Sequence, residues 1–327
     1  SGAEATMRAM RIARAYTGKN KIALFSGGWH GGQDNALFDD DYLDLNSPGK
    51  VCYKSAGLNK DLKKSTLMLP YNSDEAIDII KNAALEIALV IIEPSQGSNP
   101  RDDIGEFLRK LREVTLECEV LLCFDEIITG FRVSMGGASE HYGITPDLIT
   151  FGKTVGGGLP IGVVSGDKLI LDSVSNNKLP VFYGGTFSAN PLSMAAGNSV
   201  ISYLLANNDV VYTELDFQSS RIKTEVNQFC IKNNISARVV GIKSMLRIIF
   251  TDKMIKSRKD RERYEISQYQ QVIFYKQLLI QGVYIGNNGI IFISIVHNEE
   301  IINAVIRAIC DVFEKQSNEW SLQYLKK

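Results

Sequence analysis

The sequence predicts an α/β fold: a large domain on a mainly parallel sheet, followed by a smaller α+β domain. Three observations carry that expectation. Short apolar runs alternate with helix-length stretches through about residue 200, the pattern of strands joined by crossover helices. Past about residue 206 the alternation gives way to a long charged helix, short strands and two covering helices. At 327 residues the chain is longer than one core usually organises, so two domains are expected, residues 1–205 and 206–327.

The elements read in order as follows. A helix over residues 4–16 is opened by the small residues Ser1, Gly2 and Ala3. An apolar strand at 21–25 empties into Ser26-Gly27-Gly28-Trp29-His30-Gly31-Gly32. A helix at 74–84 precedes a strand at 88–92 that stops at Glu93. A helix at 104–116 precedes a strand at 120–124 that stops at Asp125 and Glu126. The strand at 148–151 runs into Lys153 and a glycine run, and a strand at 161–164 and a helix at 191–205 complete the large domain. The second domain is expected to hold a helix at 211–231, strands at 238–242 and 245–250, a helix at 264–281, strands at 283–285 and 290–296, and a helix at 299–315. The basic stretch 253–263 is expected as a solvated loop. So is Asp39-Asp40-Asp41, because three adjacent carboxylates repel in any buried site.

Composition narrows the function. Lys plus Arg number 36 and Asp plus Glu 37, a net charge of −1, which argues against a dedicated nucleic-acid binder. No apolar run reaches membrane-spanning length and no secretory signal opens the chain. The five cysteines are scattered without paired spacing, as in a reduced cytoplasmic protein, and suggest neither disulfides nor a zinc site. The chain opens without methionine directly at a loop of functional character, which reads as a fragment lacking its natural N-terminal part.

In parallel sheets ligands bind beyond the carboxyl ends of the strands, where Glu93, Asp125 and Lys153 fall. A lysine at the end of an apolar strand, facing bare glycine backbone, is pushed towards its neutral, nucleophilic form. Taken singly, such a lysine is an ordinary first solvated residue, and an Asp-Glu pair is a loop cap or a metal site. Together they suit a pyridoxal phosphate enzyme, the lysine carrying the cofactor as a Schiff base and the aspartate keeping the pyridine nitrogen protonated. Gly2 and Ala3 open a helix whose N–H groups and dipole favour an anion, or form an ordinary N-cap. Gly184-Gly185-Thr186-Phe187-Ser188 stops at a helix start, with Thr186 a candidate hydroxyl ligand of phosphate, or is simply a turn. Trp29, framed by glycines, suits stacking on a planar ring, and His30 assists it or is merely polar. Strand alternation points Asp125 and Ile127 the same way, so Ile127 is expected on one ring face and Trp29 on the other.

The segment from Phe124-Asp125-Glu126 to Thr129-Gly130-Phe131-Arg132, the linker from Gly136 to Asp147, and the segment from Gly152-Lys153 to Pro160-Ile161-Gly162 resemble class III aminotransferases of fold type I. The branch they resemble most contains glutamate-1-semialdehyde 2,1-aminomutase. Similarity runs through nearly the whole chain and is most specific in the middle third. The resemblance implies that Lys153 and Asp125 are catalytic, that Gly2 and Ala3 donate to the cofactor phosphate, and that Trp29 is the stacking aromatic. It also implies that Gly185 and Thr186 reach the phosphate of a neighbouring subunit in a homodimer. Ser98 would lie by the ring's phenolic oxygen, where the aminomutase pattern carries asparagine. Departures gather on the substrate side. Residues 33–46 replace a glycine-rich gating loop, and residues 286–300 keep a His-x-Glu-Glu ending without the arginine that many relatives use for a substrate carboxylate. The expected function is amino-group transfer from small amines to carbonyl compounds. The alternatives are a true aminomutase making 5-aminolevulinate, or a non-catalytic scaffold or inactive fragment. Gly156-Gly157-Gly158 lacks the spacing of a dinucleotide-binding loop.

Overall fold

The computed structural model describes residues 1–40, 50–176, 178–286 and 289–324. The chain forms two compact units, Ser1–Gly97 with Asp103–Asn207, and Ser98–Asp102 with the chain from Asn208 onwards.

The first unit contains, in order, α1 (Gly2–Thr17), β1 (Lys21–Phe25), β2 (Phe38–Asp40), β3 (Val51–Tyr53), β4 (Thr66–Leu69), α2 (Asp74–Ala83), β5 (Ile87–Ile92), α3 (Gly105–Glu117), β6 (Leu121–Asp125), α4 (Gly137–Tyr142), β7 (Leu148–Gly152), β8 (Gly162–Gly166), α5 (Lys168–Ser175) and α6 (Pro191–Ala206). Six strands form one sheet in the order β4-β1-β5-β6-β7-β8. Every pairing is parallel except β7 with β8, which is antiparallel. The sheet is therefore mainly parallel, as the alternation of elements predicted. Its strands are apolar on both faces because helices cover both. Ala23, Phe25, Leu122 and Phe124 pack with the residues of α2 and α3, whereas Ile22, Leu24, Leu121 and Cys123 pack with those of α1. That alternation assigns Asp125, two residues after Cys123, to the α1 face.

The acidic run is a correction. Asp39 and Asp40 lie in β2, paired with β3, and are 5 % and 4 % exposed. Donors offset their repulsion: the Ser26 hydroxyl donates to Asp40 at 2.7 Å, the Gly27 N–H donates to Asp39 at 3.1 Å, and Lys54 Nζ lies 3.0 Å from Asp39. Asp41 and the rest of the expected gating region to residue 46 lie outside the described residues. Strands β2, β3 and β4 and helices α4 and α5 were not expected, being too short to carry a periodic signal.

The second unit holds α7 (Asn208–Lys232), β9 (Arg238–Ile242), β10 (Met245–Ile249), α8 (Arg258–Tyr264), α9 (Gln268–Ile280), β11 (Ile290–Phe292) and α10 (Glu299–Tyr324), with an antiparallel sheet β11-β10-β9. Its core is aromatic: Phe274 and Phe313 have ring centroids 4.6 Å apart, with Phe250 edge-on to both. The basic stretch corrects a second expectation. Ser257 and Asp260 form a capping box that starts α8, and Arg261 is only 6 % exposed. Its guanidinium is held by Glu265, 3.3 Å away, and by the Ser98 carbonyl. Residues 283–285 join no sheet ladder, and the strand expected at 290–296 is reduced to three residues. Asn287 and Asn288 lie outside the described residues.

Candidate active site

At the carboxyl ends of β5, β6 and β7, a cavity of about 190 Å³ is lined by Gly2, Ala3, Trp29, Gly31, Glu93, Asp125, Ile127, Ile128 and Lys153. Each group arrives there for a local reason. Asp125 is the last residue of β6, opposite Thr150 of β7. Its Oδ1 accepts from the Thr150 hydroxyl at 3.1 Å and the Ile127 N–H at 3.2 Å, and Oδ2 lies 2.7 Å from His30 Nδ1. With three hydrogen-bond partners, the 2 %-exposed carboxylate is fixed in place. The strand stops before Ile127, so alternation does not deliver that side chain, yet it lines the cavity beside Asp125. Glu126 turns the other way and caps α4. It accepts from the Ala138 and Ser139 N–H groups and from two hydroxyls.

Lys153 follows β7 in the left-handed region at φ 45°, where a non-glycine residue costs about 1–3 kcal/mol. Such strain is tolerated where the surroundings over-determine it. The side chain opens to solvent through the cavity, yet enough protein surrounds the amine that burial depresses its pKa below the ordinary lysine value. Asp125 and Glu93 pull the other way. Burial raises the pKa of the Glu93 carboxyl and Asp125 adds to it, against His30 and the Gly97 and Trp29 N–H groups. Those two N–H groups donate to Glu93 at 3.0 and 2.8 Å.

Helix α1 brings its first turn to the cavity by close approach. A Cβ on Gly2 would stand 2.7 Å from Ile127 Cδ1, and one on Gly31, itself at φ 90°, would stand 2.5 Å from Ala3 Cβ. His30 is 2 % exposed, with its carbonyl accepting from the Thr6 hydroxyl at 2.6 Å. Its Nε2 has no hydrogen-bond partner among the described residues. It sits behind Asp125, where sequence left open whether it was merely polar.

Of the residues singled out from sequence, Gly2, Ala3, Trp29, Asp125, Ile127 and Lys153 meet around the cavity, with His30 behind Asp125. Three do not. Ser98 belongs to the second unit, where its carbonyl accepts from Arg247 at 3.0 Å and from Arg261. Gly185 and Thr186 are exposed outside the cavity lining. Sequence reasoning gave no role to Thr150, a hydroxyl in an otherwise apolar strand. It noted Glu93 as a strand end, without a role for its carboxylate.

The chain matches the family model described as aminotransferase class-III over residues 1–316. It is 36 % identical over 317 residues to a glutamate-1-semialdehyde 2,1-aminomutase of Methanobrevibacter smithii, covering 94 % of this chain and 71 % of that protein. Among solved structures it superposes on an omega-transaminase from Sphaerobacter thermophilus with a TM-score of 0.85. That pair is 27 % identical, covering 96 % of this chain and 72 % of the other. It also superposes on a transaminase with bound pyridoxal phosphate, with a TM-score of 0.82 and 25 % identity, over 96 % and 72 % of the two chains.

Proposed function

The chain belongs to the class III aminotransferases, fold type I enzymes that use pyridoxal 5′-phosphate, and from that premise we propose how its residues divide the work and what it acts on. The site fits the cofactor. A fixed carboxylate and an amine of lowered pKa face one cavity that has an indole and an isoleucine in its lining. When bound, the cofactor supplies an electrophilic aldehyde carbon and a ring that takes up the charge left when a proton leaves the substrate carbon. Lys153 is the nucleophile that holds the cofactor and afterwards the base that carries the proton. Asp125, held by His30 and Thr150, accepts from the ring N–H and keeps that nitrogen protonated. Trp29 and Ile127, both in the cavity lining, would cover the ring and exclude water from it. The Gly2 and Ala3 N–H groups at the start of α1 receive the phosphate, where the helix dipole favours an anion.

We read the enzyme as an aminotransferase of the aminomutase-like branch. The observation that carries this is strand β2, paired with β3 and holding the buried Asp39 and Asp40, within the region where the aminomutase pattern has a glycine-rich gating loop. The aminomutase itself is the second reading, favoured by the 36 % identity to the archaeal enzyme of that name. Gly185 and Thr186 are assigned to the cofactor phosphate of a second copy. The exposure of Phe182, Phe187 and Leu192 at 73 %, 81 % and 72 % supports a homodimer that covers this face. No described helix is long and apolar enough to cross a membrane, and all five cysteines are free, which supports a cytoplasmic location. The test loads the protein with the amino form of the cofactor, adds glutamate 1-semialdehyde, and assays 5-aminolevulinate while following the visible spectrum. No product, with a spectrum that responds to other amines and aldehydes, is expected. Catalytic formation of 5-aminolevulinate would instead establish the aminomutase.

A further inference from the structure

The loop that carries Trp29 is clamped to an unusual degree for a segment so rich in glycine. The Ser26 N–H donates to the Leu69 carbonyl at 2.8 Å and its carbonyl accepts from the Gln96 amide at 2.8 Å. The Gly27 N–H donates to Asp39 at 3.1 Å, and the Gly28 N–H to the Phe25 carbonyl at 3.0 Å. The Gly28 carbonyl accepts from Lys54 Nζ at 2.7 Å, and the Trp29 N–H donates to Glu93 at 2.8 Å. The indole beyond this clamp is left 53 % exposed in the lining of the cavity. A rigid backbone behind a bare ring costs conformational entropy without burying the ring, which suits a surface held ready for a planar ligand.

Two of those ties come from β2 and β3, outside the main sheet. Lys54 Nζ touches both the Gly28 carbonyl and, at 3.0 Å, Asp39 Oδ2, while Asp39 Oδ1 takes the Gly27 N–H. The ammonium and carboxylate side chains are 18 % and 7 % exposed, so their attraction is little screened. One ion pair thus grips the two consecutive residues before Trp29, Gly27 by its N–H and Gly28 by its carbonyl. Without the ammonium, Asp39, Asp40 and Glu93 would leave three buried carboxylates around this loop.

We propose that Lys54 and Asp39 are positioning residues that set the height and tilt of Trp29 over the cofactor ring. This rests on the reading of Trp29 as the ring-stacking wall. The chain has two tryptophans, Trp29 and Trp320, so Trp320→Phe leaves Trp29 as the sole indole, excited selectively over the tyrosines at the red edge of its band. In that background, titration with pyridoxal phosphate quenches the indole. Lys54→Met diminishes the quenching and raises the cofactor dissociation constant about tenfold, the usual loss for one charge-assisted hydrogen bond. Lys54→Arg restores both. If Lys54→Met does not fold, Asp39→Asn serves in its place. It keeps an acceptor for the Gly27 N–H and removes only the charge, and the same losses are expected. Wild-type quenching in the charge-deleted protein, whether or not affinity falls, would overturn the proposal and leave the Trp29 assignment standing. No quenching in the Trp320→Phe parent would overturn both together.

Discussion

Two glycine-framed segments carry an aromatic side chain in this protein, and they have opposite fates. In residues 26–32 the backbone is taken up by Asp39, Lys54, Glu93, Gln96 and neighbouring carbonyls, and the indole faces a cavity. In residues 184–190 the backbone is tied by a 3.4 Å bond from Arg8 to the Gly184 carbonyl and by bonds within its own turn, and Phe187 is 81 % exposed. Each carries a Gly-Gly pair just before its aromatic residue, and the difference in fate comes from what the rest of the chain delivers. The first segment follows a central strand and meets buried acids. The second precedes α6 and meets solvent. One is a wall completed within a single chain. The other, on the proposed reading, is half of a site that a second copy completes.

The side of the comparison completed in one chain breaks most severely at Lys153. Lys153→Ala is expected to remove turnover by at least about 10⁴-fold, the upper range for acid–base catalysis alone, since the nucleophile goes too. Single-turnover conversion of bound amino-form cofactor by a keto acid measures it, and activity near wild type would end the assignment. Asp125→Ala follows at about 10²–10³-fold, the cost of losing a preorganised electrostatic partner, with cofactor still bound. A change of only a few fold would mean that the ring nitrogen has another partner.

A smaller effect sharpens the point that this wall is built at the expense of stability. Burial lowers the Lys153 pKa in the folded protein, so between that value and the ordinary value near 10.5 the unfolded chain holds more protons. Stability of the cofactor-free protein therefore rises with pH across that window, and the penalty is fully present below it. Lys153→Met should raise the melting temperature of the cofactor-free protein at pH 7 and flatten its rise towards pH 10. Parallel melting curves for the two proteins would contradict the burial.

Much of this was legible in the sequence because it depends on strands. An apolar run that ends on a charge places Glu93, Asp125 and Lys153 at one edge of a parallel sheet, and no other information is needed to bring them close. What remained hidden depends on pairing between distant residues. Nothing local says that Asp39 and Asp40 will be buried, since Ser26, Gly27 and Lys54 supply the compensation. Nor does a run of lysines and arginines announce that Arg261 turns inward to Glu265. The fate of Ile127 shows the same limit: it reaches the cavity after the strand has ended, through a turn held by its own N–H on Asp125.

The smallest effect tests the other half of the comparison. Thr186→Val removes one hydroxyl from an exposed position and keeps the shape of the side chain. If that hydroxyl binds cofactor phosphate, affinity for the cofactor falls about tenfold, the scale of one hydrogen bond to a charged group. Whether it acts across the interface is decided by mixing. In a heterodimer of Lys153→Ala and Thr186→Val chains, action across the interface collects both lesions in one site and leaves the other site unaltered. Cofactor titration of the purified heterodimer would then show one site of wild-type affinity, with about half the wild-type turnover. If Thr186 instead served its own chain, the only site with a lysine would also carry the valine, and its affinity would stay weak. The segment would then be completed within one chain, like the Trp29 loop, and the contrast between the two would reduce to a difference in exposure.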